Sequence, residues 1–190
     1  MRTSRREILA AGLCAMMPGT ASATPRFPID WQDAPRTPDI AAALAAQVAL
    51  IEALPIHPAI IAFFAEQRIA VDVMPGSMSR IGPDGVHFER RAVPTDNPVL
   101  LHELLHRYHL LRLADGYDNA KVRVFHREAR LSGLYPAASY MLLNPIEFFA
   151  MTACTVLYGR LARPPFSRAE VLDKSPELHR WIVGEFGLRV

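Results

Sequence analysis

Val99-Leu100-Leu101-His102-Glu103-Leu104-Leu105-His106-Arg107-Tyr108 decides how the rest of the chain is read. Residues four apart on a helix lie about 40° apart around its axis and one turn apart along it. His102 and His106 can therefore reach one ion, and Zn²⁺ accepts imidazole nitrogen at about 2.0–2.1 Å. Glu103 projects beside that ion, where a carboxylate can hold and deprotonate a water. Asn97-Pro98 reads as an N-cap and a first-turn proline. Val99, Leu100, Leu104, Leu105, Leu111 and Leu113 make the helix largely apolar, so burial is expected. A solvated helix with two surface histidines is the competing reading. It fits poorly, because buried His and Glu are costly unless paired or bound to a metal.

The chain has 190 residues, of which 51% are hydrophobic, enough for one domain with a sizeable core. Residues 1–23 read as a cleaved export signal. Arg2, Arg5 and Arg6 make a positive start, Ile8 to Met17 is a short apolar run, and Ala21-Ser22-Ala23 is a small-x-small cleavage site. Ser4-Arg5-Arg6-Glu7-Ile8-Leu9 resembles a bacterial twin-arginine signal, which favours a periplasmic or secreted location. Removing Arg2, Arg5, Arg6 and Glu7 takes Lys+Arg from 21 to 18 and Asp+Glu from 19 to 18. The remaining chain is nearly neutral, so nucleic-acid binding loses its electrostatic support. The apolar run is too short to span a membrane. Of two cysteines only Cys154 lies outside the signal, so no internal disulfide is expected.

Residues 24–38 read as a proline-rich extended arm, with a prosegment as one possible role, and residues 39–190 as a single domain. Thr37-Pro38 starts a helix to about Leu54, carrying Ile40, Leu44, Val48 and Ile51 at helical spacing; Pro58 to Gln67 is a second. Arg68 to Met74 alternates as a strand with Ile69, Val71 and Val73 on one face. Met78 to Ile81 and Val86 to Ala92 flank the turn residues Pro83-Asp84-Gly85. These three strands precede the histidine helix. Asn119 to Leu131 follows it as a helix with a solvated charged face, and Leu134 to Leu143 reads as irregular. Asn144-Pro145 opens a helix ending at Tyr158-Gly159, Ser167-Arg168-Ala169-Glu170 is a capping box, and Ser175-Pro176 starts the last helix. The pattern is α+β: about six helices and a small three-stranded sheet.

Two histidines do not complete a catalytic zinc set, which needs a third protein ligand and one open position. His109 is on the same helix side, but three ligands from one straight helix fit a tetrahedral ion poorly. Core packing or a hydrogen bond behind the ligands suits it better. His109 and Arg112 stand where a metzincin needs glycine and histidine, so that class is out. His126 has no supporting pattern. Glu147, in Asn144-Pro145-Ile146-Glu147-Phe148-Phe149-Ala150, is a carboxylate in the first turn of an otherwise apolar helix. It either complements the helix dipole or ligates, and beside His102-Glu103-x-x-His106 the ligand reading is the stronger.

The two segments together resemble the gluzincin peptidases, in particular the group related to the catalytic domain of anthrax lethal factor. In that group a Glu-x-Phe-Ala segment on a second helix supplies the third zinc ligand, here Glu147. A tyrosine shortly upstream steadies the oxyanion. Tyr140, seven before Glu147, holds the matching place and Tyr135 is the reserve. The resemblance covers about residues 68–159 and implies a zincin-like fold. Its departure is Met151, where the group often has a second glutamate; this bears on ligand orientation rather than ligand identity. Met151 and Cys154 are expected to face the core beneath the site.

The resemblance implies an exported zinc endopeptidase acting on a peptide or protein substrate. Glu103 would take a proton from zinc-activated water and pass it to the leaving amine, and Tyr140 would donate to the oxyanion. An edge strand ahead of the histidine helix, either Met78 to Ile81 or Val86 to Ala92, would pair with the substrate backbone. The alternative is an inactive zinc-binding or sensor module on the same fold.

Overall fold

In a computed structural model, residues 27–94 and 96–189 are described; the export segment read from residues 1–23 lies outside them. The elements run β1 (Ile29–Asp30), α1 (Pro38–Glu52), α2 (Pro58–Glu66), β2 (Arg68–Val71), β3 (Arg80–Gly82), β4 (Gly85–Phe88) and α3 (Val99–Arg112). A 3₁₀ turn at Gly116–Asp118 leads to α4 (Ala120–Ser132), and another at Tyr140–Leu142 to α5 (Pro145–Tyr158). α6 (Arg168–Lys174) and α7 (Pro176–Phe186) close the chain. The α+β pattern with the sheet ahead of α3 is as expected. Among the described residues no helix is long and apolar enough to cross a membrane.

The sheet has four strands in the order β1-β2-β4-β3, not three. The added strand comes from the N-terminal arm. Ile29 and Asp30 pair in parallel with Ile69 and Ala70, and Phe27 and Ala34 enter the core. This part of the arm thus lies at the sheet edge opposite β3. β2 is flanked on both sides and its Ile69, Ala70 and Val71 are all buried, so the expected one-sided alternation is absent. Strands covered on both faces lose that alternation. β2 also stops early, because Asp72 Oδ1 accepts from the Met74 amide at 3.0 Å and turns the chain. Val73 consequently lies outside the strand and is exposed.

β4 runs parallel to β2 and antiparallel to β3, with Gly82 opposite Gly85 across the turn. Gly85 is required by close approach, since a Cβ there would lie 2.1 Å from the Arg68 carbonyl oxygen. β3 is therefore an edge strand and β4 an inner one.

α5 is buried from Phe148 to Leu157 without interruption, which makes it the central helix. α3 packs along it through a core that includes Leu100, Leu101, Leu104 and Leu105, with Phe148, Phe149 and Ala153 from α5. Leu111, read as part of the apolar face, is exposed because the last turn of α3 leaves that core.

The two helices begin differently despite their matching Asn-Pro starts. Asn144 caps α5, its side-chain oxygen accepting from the Glu147 amide at 2.9 Å. Asn97 does not cap α3: the residue at the cap position is Pro98, with no side-chain cap bond. Gln47, from α1 and 1% exposed, does the work instead. Its Oε1 accepts from the Leu100 amide at 3.1 Å and its Nε2 donates to the Asn97 carbonyl at 2.7 Å. Gln47→Leu would strand the buried Leu100 amide, at a cost of about 1–3 kcal/mol, and remove a partner from the Asn97 carbonyl. Urea denaturation is expected to show a loss of that order, with an unchanged m-value.

Asp72 supplies a pH-dependent term. The Met74 amide and then the Arg80 guanidinium hold its carboxyl down at about 2, from 3.8. A depressed pKa stabilises the fold fully above the unfolded value and loses that contribution as pH falls through the folded one. Asp72→Asn should therefore flatten the acid limb of stability between pH 3.8 and about 2, read as the thermal midpoint against pH.

Candidate metal centre

α3 presents His102 and His106 one turn apart, and the capped first turn of α5 presents Glu147 to both. His102 Nε2 lies 3.1 Å from His106 Nε2. Glu147 Oε2 lies 3.2 Å from the first and 3.4 Å from the second. The imidazole rings stand nearly perpendicular, at 86°. Two metal–ligand bonds of about 2.0–2.1 Å meeting at a tetrahedral angle separate their donor atoms by about 3.3–3.4 Å. The three atoms thus form one face of a tetrahedron of the right size for Zn²⁺. Glu147 Oε2 and His106 Nδ1 are buried without a hydrogen-bond partner of good geometry. Three lone-pair donors converging in a largely buried place fit a cation, so the cluster His102, His106 and Glu147 could hold a metal ion.

Burial works against ionising Glu147, but the His102 and His106 imidazoles outweigh it and hold the carboxyl well below the usual range. Glu103, next to His102 in the chain, is 7% exposed. Burial, opposed by His106 and reinforced by Glu147 and Glu89, pushes its carboxyl up to about 7. Tyr140 opens the 3₁₀ turn just before α5 and is 43% exposed. Burial and the Glu147 carboxylate raise its hydroxyl to about 12, so it stays a proton donor. Of the five residues singled out in the sequence, His102, His106 and Glu147 converge, and the Glu147 and Glu103 carboxylates both act on the Tyr140 hydroxyl. Tyr135 does not join them. It is buried, with its hydroxyl 3.1 Å from the Ser175 Oγ.

His109 and His126, the other histidines weighed as ligands, are structural. His109 is fully buried between Tyr117 and Phe149, and neither ring nitrogen has a partner. It is core packing, not a bond behind the ligands. Burial and His106 lower its pKa to about 4, which keeps it neutral. His126 bonds the Leu142 carbonyl at 3.2 Å and so ties α4 to the turn that carries Tyr140. Met151 and Cys154 are buried, as expected, with Cys154 Sγ 3.8 Å from the Pro98 carbonyl oxygen.

Two supporting residues escape the sequence reading. Gln47 had a signal: it is the one polar residue between Asp39 and Glu52 in an alanine- and leucine-rich helix. Arg107 had none, since an arginine after a ligand histidine reads as solvated. It is 7% exposed.

No protein-family model matches the chain, and no curated protein sequence is similar to it at a significant level. Among solved structures, a Pro-Pro endopeptidase from Paenibacillus alvei matches with a TM-score of 0.57. The match covers 84% of this chain and 96% of that one, at 16% identity. The likeness is one of fold, and the α+β arrangement expected from the sequence, mostly helical with a small sheet ahead of α3, is the one observed.

A divalent ion that binds only the folded chain raises its stability, by about 2.7 kcal/mol at a hundredfold excess over Kd. Added Zn²⁺ is expected to raise the thermal midpoint at one ion per chain, and Glu147→Ala to abolish the rise. Calorimetry with metal analysis checks both.

Proposed function

We propose that this protein is an exported zinc endopeptidase of the gluzincin type. The observation that carries the reading is the tetrahedral spacing of the His102, His106 and Glu147 donor atoms beside the buried carboxyl of Glu103. The fold shared with a Pro-Pro endopeptidase supports it, and so does the resemblance of the two motifs to the lethal factor group. Export rests on the twin-arginine pattern and cleavage site in residues 1–23.

When bound, zinc would supply a Lewis acid that acidifies water and polarises a scissile carbonyl. His102, His106 and Glu147 would hold it from one side and leave the other open. Glu103, whose carboxyl lies near 7, takes the proton of the attacking water and returns it to the leaving amine. Tyr140 keeps its proton and donates a hydrogen bond to the oxygen that becomes negative. β3 is the exposed edge beside α3, and a substrate strand added there gains main-chain hydrogen bonds. Of the two segments weighed as that edge, Met78 to Ile81, which overlaps β3, fits and Val86 to Ala92 does not, because β4 is flanked on both sides.

The test is cleavage of a peptide library by the zinc-loaded protein, read by mass spectrometry. Glu103→Gln should retain zinc and lose about 10²–10⁴-fold in kcat. Tyr140→Phe should lose about 10²–10³-fold in kcat with little change in KM. Unchanged turnover in Glu103→Gln would refute the assignment.

A further inference from the structure

Arg107 is a buried cation without a carboxylate. It is 7% exposed, and no acidic group pairs with it among the described residues. Its Nε donates to Gln67 Oε1 at 3.0 Å. Its Nη1 donates to two backbone carbonyls, Gly82 and Pro83, each at 3.1 Å. Gln67 is itself fixed at the end of α2, where its Nε2 donates to the Phe63 carbonyl at 3.1 Å. A buried guanidinium is expensive to keep, and neutral acceptors return less than a carboxylate would. The contacts it makes are with the end of the edge strand. β3 is held on its inner side by pairing with β4, while its outer side pairs with nothing among the described residues, so contacts from α3 at the Gly82 end help to set where that free edge lies.

We propose that Arg107 is a positioning residue that fixes the distance and register of β3 against α3. A peptide paired on β3 then carries one particular bond to the His102, His106 and Glu147 cluster. The inference rests on the endopeptidase reading. His106 and Arg107 are consecutive on one rigid helix, so the metal ligand and the clamp move as one body. The fork of the guanidinium spans two acceptors on the hairpin and one on α2. A lysine ammonium offers charge but not that fixed planar geometry.

Arg107→Met keeps the apolar stem and removes the donors, and Arg107→Lys keeps the charge. In Arg107→Met we expect zinc stoichiometry to be unchanged, kcat/KM to fall about 10²-fold, and cleavage to spread from one peptide bond to its neighbours. Arg107→Lys should restore part of the rate and little of the single-site cleavage. One cleavage site at wild-type KM in a folded Arg107→Met protein overturns the proposal. Where Arg107→Met does not fold, Arg107→Lys decides by the same cleavage pattern. If the wild type cleaves no peptide, the endopeptidase reading fails by itself. Amide exchange over Arg80–Gly82 then judges the clamp: faster exchange in Arg107→Lys at unchanged zinc stoichiometry supports it, and unchanged exchange overturns it.

Discussion

The structure depends on the packing of α3 against α5, because that contact brings two imidazoles and a carboxylate to within 3.4 Å of one another. Left to themselves, three lone-pair donors would not gather in a half-buried place. They are held there by what lies beneath them. Leu100, Leu101, Leu104 and Leu105 on one helix, and Phe148, Phe149, Ala150 and Ala153 on the other, are all buried to within 1% of full cover. Fully burying one such large side chain stabilises by about 1.5–3 kcal/mol. The apolar seam therefore carries the energetic cost of the polar cluster above it.

The same seam fails to account for the helix ends, and there side chains take over. An α-helix leaves its first amides unpaired, and buried amides need partners. α5 solves this locally, with Asn144 accepting from the amide of Glu147, a member of the cluster that could hold a metal. The cap thus fixes the backbone of a residue whose side chain belongs to that cluster. α3 solves it from a distance, through Gln47 of α1. Three helices are thereby tied to the site: two by the ligands they carry and α1 by a capping bond. Both arrangements are side-chain bonds within the protein, and both fix the backbone at the helix starts nearest the cluster.

Much of this was legible in the sequence because it is local. A period of four, a cap three residues before a glutamate, and a proline at the first helical position all act within one turn. His102, Glu103, His106 and Glu147 were singled out that way, whereas Tyr140 came only from the resemblance to the lethal factor group. What was not legible acts between distant segments. Asn97-Pro98 and Asn144-Pro145 are alike in sequence, yet only the second caps, because Gln47 already occupies the amide at the start of α3. The extended character of Thr24 to Pro38 was clear, but its pairing with β2 depends on an open edge that only the assembled sheet provides. Alternation misread β2 for the same reason, since the covering of its second face lies elsewhere in the chain. Tyr135 and Tyr140 could be separated by spacing against a motif but not by physical argument until Ser175 was seen to hold the first.

α3 is best understood through its faces. Leu100 and Leu104 look into the core, His102, Glu103 and His106 toward α5 and the opening, and Arg107 toward the hairpin. Each face is specified by a position within two turns, where the helix is most rigid. The last turn, with Leu110, Leu111 and Arg112 exposed, carries none of the tasks. Chemistry that needs reacting groups held within a fraction of an ångström belongs on such an element rather than on a loop. Tyr140 is the exception. It sits on a one-turn 3₁₀ segment, half exposed, held from behind by the His126 bond to the Leu142 carbonyl. In the proposed reaction its hydroxyl would meet the developing negative charge, and a donor serves there only if it is held in place beforehand, which makes the His126 bond behind that turn the anchor a loop-borne donor needs.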